Sequence, residues 1–137
     1  MSATIIEPAV ARRQRSQLAV PASNPRFIEK AVQSAADVIF LDLEDAVAPA
    51  EKVAARANAI AALNDLDWGG KVMQVRINGL DTEYMYRDVV EIVEACPRLD
   101  MLLIPKVGVP ADVYAVDMLV TQIELAKKRS KRIGFDI

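Results

Sequence analysis

Along the chain, short apolar runs alternate with longer stretches in which apolar residues recur every three or four positions. Gln17 to Val20 is a brief strand-like run closed by Pro21, and Val38 to Leu43, Val72 to Ile77, Leu99 to Ile104 and Ile133 to Ile137 are further runs of strand length. Near-continuous rather than alternating apolarity fits strands covered on both faces, as in parallel sheets. Between them the pattern predicts four helices. Ser23-Asn24-Pro25 supplies a cap and a first-turn proline for a helix to about Ala35, and Pro49 starts a second reaching Leu63. Thr82 to Ala95 carries Met85, Val89, Ile92 and Val93 near helical spacing, and Pro110 opens a fourth helix through Ala126, its end solvated by Lys127 to Lys131. Asn64, Asp65, Gly69, Gly70, Asn78-Gly79 and Pro97 supply the intervening breaks.

Strand and helix in alternation imply right-handed crossovers and a parallel α/β sheet. Five strands and four helices are the N-terminal half of an eightfold TIM (β/α)8 barrel, spanning residues 16–137, preceded by a flexible arm at 1–15. The final run stops inside an apolar strand, so the expectation is a barrel domain truncated at its C-terminus, with an open, association-prone edge. The competing architecture of this size is a flavodoxin-like signalling module. Such a module wants acids after its first strand and an aspartate after its third, where this chain has Val20-Pro21 and Arg76.

Composition narrows the chemistry. Seventeen basic against nineteen acidic residues leave a net charge of -2, so no overall field favours nucleic acid or an anionic membrane. No apolar run approaches the ~20 residues needed to span a bilayer. The absence of histidine and the single Cys96 exclude a Cys/His zinc site, an imidazole base and an internal disulfide within these residues. Any metal needs carboxylate oxygens, and a reducing cytoplasm fits the cysteine count.

Polar residues gather where the strands end: Glu44 and Asp45 after the second, Arg76 and Asn78 after the third, Lys106 after the fourth. In a parallel barrel these ends share one rim. Arg76, between Val75 and Ile77 in VRING, offers a planar fork for a carboxylate or a developing enolate oxygen; its bland alternative is a salt bridge to the neighbouring acidic strand end. Glu44 and Asp45 suit the surroundings of a magnesium ion, or else helix capping or pairing with Lys52 or Arg56. Asn24, Arg26 and Lys30 sit where a helix start and two cations would receive a phosphate. Lys106 in IPKV reads as a Schiff-base lysine or, more simply, as charge balance at the rim.

Taken in order, LAVPASNPRFIEKA, DVIFLDLEDAVAPAEKVAAR, VRING and IPKV resemble the HpcH/HpaI aldolase and citrate lyase beta-subunit family. The stretches NDLDWGGKVMQVRINGLDTEYMYRDVV and ADVYAVDMLVTQIE bear a stronger resemblance still to its malyl-coenzyme A-cleaving branch. The resemblance implies a TIM barrel that assembles as a trimer or hexamer, binds Mg2+ and takes a coenzyme A thioester. Malyl-CoA or β-methylmalyl-CoA would be cleaved reversibly to acetyl-CoA or propionyl-CoA and glyoxylate. It places Arg76 at the reacting acyl groups as the catalytic residue, Ala19 and Val20 at the strand end beside substrate, and Asn24, Arg26 and Lys30 in the coenzyme A segment. Glu44 and Asp45 fall near the metal, whose direct ligands are expected beyond Ile137, so residues 1–137 alone are expected to be inactive. A citrate-lyase-like subunit, a malyl-CoA thioesterase and a non-catalytic coenzyme A-binding remnant share these motifs.

Overall fold

The computed structural model describes residues 10–129 and 133–137. Five strands, β1 (Gln17–Pro21), β2 (Val38–Asp42), β3 (Val72–Arg76), β4 (Met101–Leu103) and β5 (Gly134–Asp136), form one sheet. Every neighbouring pair is parallel and the strand order is the chain order. Between them run α1 (Pro25–Ala31), α2 (Lys52–Asp65), α3 (Met85–Ala95) and α4 (Pro110–Ala126), with a single 3-10 turn at Pro49–Glu51 leading into α2. A doubly wound module reverses its strand order at a switch point. The unreversed order here removes the flavodoxin-like alternative and gives the N-terminal half of a βα barrel.

The strands alternate between two surroundings, as a pleat requires. Ile39, Leu41, Val75 and Leu102 join Ile28, Ala55, Ala59, Val89, Ile92, Val116 and Val120 in one core between sheet and helices. On the opposite face Val38, Val72 and Met101 form a separate apolar cluster. Val38 stands beside Val72, whereas Met101 stands beside Gln74, the stagger expected of tilted barrel strands. One layer on that face is polar: Asp136 Oδ2 accepts from Gln17 Nε2 and from fully buried Gln74 Nε2, both at 3.2 Å. Side chains of the first, third and fifth strands therefore meet across the sheet's concavity, the way alternate strands share a layer in a TIM barrel.

Several elements are shorter than their apolar runs. α1 stops at Ala31 instead of about Ala35, because Gln33 N and Ser34 N bond back three residues to Lys30 and Ala31, and Ser34 Oγ accepts from Ala36 N. α3 begins at Met85 rather than Thr82; the Thr82 hydroxyl donates to Gly79 O and holds the preceding residues in a turn. Leu99 is buried but turned, its N–H bonded to Cys96 O, so β4 starts only at Met101. Lys131, at the end of the expected solvated tail, lies outside the described residues.

Residues 1–9 of the expected arm also lie outside the described residues, while residues 10–15 are anchored. Arg12 approaches Asp100 Oδ1 at 3.5 Å, and Arg15 grips Asp37 with Nε and Nη2 at 2.8 and 2.9 Å, its own N–H adding a third bond. The Arg15 hydrogen bond is the main cause that holds the Asp37 carboxyl down at about 2. A depressed carboxylate pKa contributes stability that is present above the ordinary range and lost as pH falls through the folded value. The Arg15 amide is accordingly expected to stay protected from hydrogen exchange at pH 4 and to lose protection only as pH approaches 2. Loss at pH 4 or above contradicts the anchoring.

Candidate active-site rim

The register aligns Pro21, Asp42, Arg76, Leu103 and Asp136 in one row at the C-terminal edge of all five strands. Two charged members of that row clasp each other. Arg76 Nε donates to Asp42 Oδ1 at 2.8 Å and Nη2 to Oδ2 at 2.6 Å, a two-point fork. The same carboxylate accepts the backbone N–H groups of Glu44 at 2.8 Å and Ala46 at 3.1 Å. Burial opposes ionisation of Asp42, yet these four donors outweigh it and hold the carboxyl below its usual range. The pair also raises Arg76.

Glu44 lies between the two rim cations. Its Oε2 is 3.4 Å from Arg76 Nε, and its Oε1 is 2.7 Å from Lys106 Nζ, which also reaches Asp45 Oδ1 at 3.5 Å. Lys106 sits at φ 55 in the left-handed region, so the β4–α4 turn presents its ammonium to the acids of the β2–α2 loop. Glu44 and Asp45 raise its pKa, the opposite of what a Schiff-base lysine needs. Its geometry is that of charge balance. Glu44 and Asp45 do not pair through their side chains with Lys52 or Arg56. Lys52 Nζ donates instead to Leu43 O and Glu44 O, both at 2.8 Å, pinning the loop backbone. Arg56 bonds Asp88 and Glu91, and Asp88 Oδ2 in turn accepts from Asn78 N and Nδ2 at 2.9 and 2.7 Å.

The residues expected in the coenzyme A segment begin beside this row, where Asn24 N donates to Pro21 O at 3.1 Å, and continue along α1. Asn24 is the N-cap, its Oδ1 accepting from Phe27 N at 3.3 Å. Arg26 and Lys30 are exposed four residues apart on one helix face. Lys30 borders a groove of about 280 Å³ shared with Leu18, Ala19, Val20 and Phe27. Ala19 is exposed, whereas Val20 is 3% exposed and belongs to the core. Buried Cys96, with its thiol pushed up to about 11 by burial, is no nucleophile.

The profile of the HpcH/HpaI aldolase/citrate lyase family matches residues 15–133. The chain belongs to this family. The L-malyl-CoA/beta-methylmalyl-CoA lyase of Rhodobacter capsulatus is 59% identical over 131 residues, covering 95% of this chain and 41% of that protein. A (3S)-malyl-CoA thioesterase of Cereibacter sphaeroides is 46% identical over 111 residues, 81% of this chain and 38% of its own. Among solved structures, protein CitE from Mycobacterium tuberculosis in complex with magnesium, acetoacetate and coenzyme A superposes with a TM-score of 0.63 at 34% identity. That match covers 76% of this chain and 38% of CitE. The chain spans about two fifths of the length of the curated relatives it matches.

Magnesium complexes in this family raise the question whether the described residues fit the ion. They do not. Among them no three carboxylate, cysteine or histidine ligands gather. Asp42 is saturated by Arg76 and two N–H groups, and Glu44 and Asp45 face Lys106. A divalent cation brought here would compete with cations already in place.

The row also contains a residue that the apolar pattern conceals. Asp42 falls within the run Val38 to Leu43 and reads as part of it. The available signal is the strand period: Val38, Phe40 and Asp42 share the face opposite the helices, two residues apart, with Arg76 registered beside Asp42.

Proposed function

We propose that this chain is the arginine-bearing half of a carbon–carbon lyase that cleaves malyl-CoA or β-methylmalyl-CoA to an acyl-CoA and glyoxylate. The observation that carries the reading is Arg76, fixed at the barrel rim by Asp42, in a sequence 59% identical to a malyl-CoA lyase over 131 residues. Cleavage leaves negative charge on the thioester enolate, and a preoriented guanidinium stabilises that charge more in the transition state than in the substrate. Arg26 and Lys30, exposed on one face of α1, supply the positive charge that coenzyme A phosphates need. Magnesium dependence belongs in this reading to the whole barrel, with ligands outside the described residues. Assembly into trimers or hexamers belongs to the same whole-protein proposal.

The test is a fusion in which residues 1–137 replace the corresponding stretch of the R. capsulatus lyase. With malyl-CoA and magnesium the fusion is expected to release glyoxylate and acetyl-CoA, and residues 1–137 alone to release none. The 46% identical thioesterase motivates the second reading, in which a folded fusion yields malate and free coenzyme A without glyoxylate. That product pattern replaces the lyase proposal with hydrolysis.

A further inference from the structure

We propose that Asp42 is a positioning residue for Arg76, clamping one edge of its guanidinium so that the Nη1 end is what remains for an anionic ligand. The identity of that ligand, an acyl carboxylate or enolate oxygen, rests on the lyase reading; the clamp does not. Asp42 holds the Nε and Nη2 edge at 2.8 and 2.6 Å, and its side chain is only 2% exposed. Its two oxygens are themselves fixed by the N–H groups of Glu44 and Ala46. Glu44 Oε2, 3.4 Å from Nε, lies on the same edge, and the Phe40 ring lies 5.6 Å from the guanidinium carbon, against one face. Among the described residues Nη1 has no partner, and a quarter of the side chain, 25%, remains exposed.

A guanidinium held along one edge still accepts a planar carboxylate end-on, through Nη1 and the second Nη2 hydrogen. The rotamer freedom that a free arginine surrenders on binding is already surrendered here. An arriving oxyanion meets a donor whose direction is set beforehand, the condition for strong electrostatic stabilisation. Asp42→Asn preserves shape but turns an amide N–H toward one of the arginine donors, which breaks the fork without removing Arg76.

The test uses the 15N-labelled chain and malonate as a dicarboxylate probe. The wild-type Arg76 Nε–H signal is expected to persist at neutral pH and to shift with malonate. In Asp42→Asn that signal is lost to exchange while the Arg56 signal, guarded by Asp88, persists, and malonate binds at least tenfold more weakly. In an Arg76→Lys background the same Asp42→Asn change does not weaken malonate binding, because an ammonium has no edge to orient and the asparagine no longer draws it away from the ligand. An unchanged Arg76 signal and affinity in Asp42→Asn, or an equal loss in both backgrounds, overturns the proposal. If loss of the Arg56 signal shows that Asp42→Asn does not fold, the wild-type coupling through the hydrogen bond from Arg76 Nε to the Asp42 carboxylate decides: present supports, absent overturns. None of these readouts requires turnover, so a fusion that releases no glyoxylate refutes the lyase reading without touching this one.

Discussion

Asp88→Ala is expected to lose about 3–5 kcal/mol of stability, the usual cost of stripping one partner from a buried ion pair. Asp88 is 1% exposed, and its two oxygens receive Arg56 Nε, Asn78 N and Asn78 Nδ2. Alanine leaves the Arg56 guanidinium, 6% exposed, with Glu91 as its remaining acid at 3.2 Å, and it orphans both Asn78 donors. Against a total of about 5–15 kcal/mol for an ordinary domain, that loss is a large fraction of the whole. Urea denaturation followed by circular dichroism and by the fluorescence of buried Trp68 measures it. A cost below about 1 kcal/mol, the range of an exposed pair, contradicts a desolvated network. An Arg56→Met, Asp88→Leu double variant removes both charges and is expected to recover the part of the loss that lies in the abandoned charge, leaving the part due to the orphaned Asn78 donors.

Arg76→Lys in the fused barrel is expected to lower kcat by about 10²–10³, the range seen when one oriented donor to an oxyanion is removed. Lysine keeps the charge, but Asp42 and Glu44 stand within reach of the guanidinium and would draw a lone ammonium toward themselves. No second donor end then remains for the ligand. Steady-state glyoxylate release at saturating malyl-CoA reads the effect, and a KM that moves far less than kcat assigns it to the transition state. Retention of kcat within threefold removes Arg76 from the chemistry.

How much of the molecule is legible in its sequence depends on which interactions are local. Strand and helix identities follow from apolar runs and from Pro25, Pro49 and Pro110, whose fixed φ suits a first turn. Boundaries slip where a side chain captures nearby backbone, as Thr82 and Ser34 do, since such bonds compete with helix at no cost in apolarity. At the rim, Arg76, Glu44, Asp45 and Lys106 are visible because charge at the end of an apolar strand stands out. Pairing of Arg76 and Lys106 with the acidic strand end is legible as their plainer alternative, but the exact partner atoms, and Asp42 as the main one, are not, because only the sheet register brings these residues together. Asp42 is hidden by its apolar neighbours, and Asp88 with Arg56 by helices in which charged residues are commonplace. Motif resemblance names the family, yet the residue that aims its arginine emerges only in three dimensions.

The bridge from Gln17 through Asp136 to Gln74 acts on the sheet as a chord acts on an arc. Ladder hydrogen bonds fix the spacing of adjacent strands, but they leave the radius of the sheet soft. A carboxylate on the last strand tied to amides on the first and third sets that radius directly. The rim row carrying Asp42 and Arg76 ends at Asp136 itself, so loosening this tie would splay the bowl and widen its mouth while leaving every ladder pair intact.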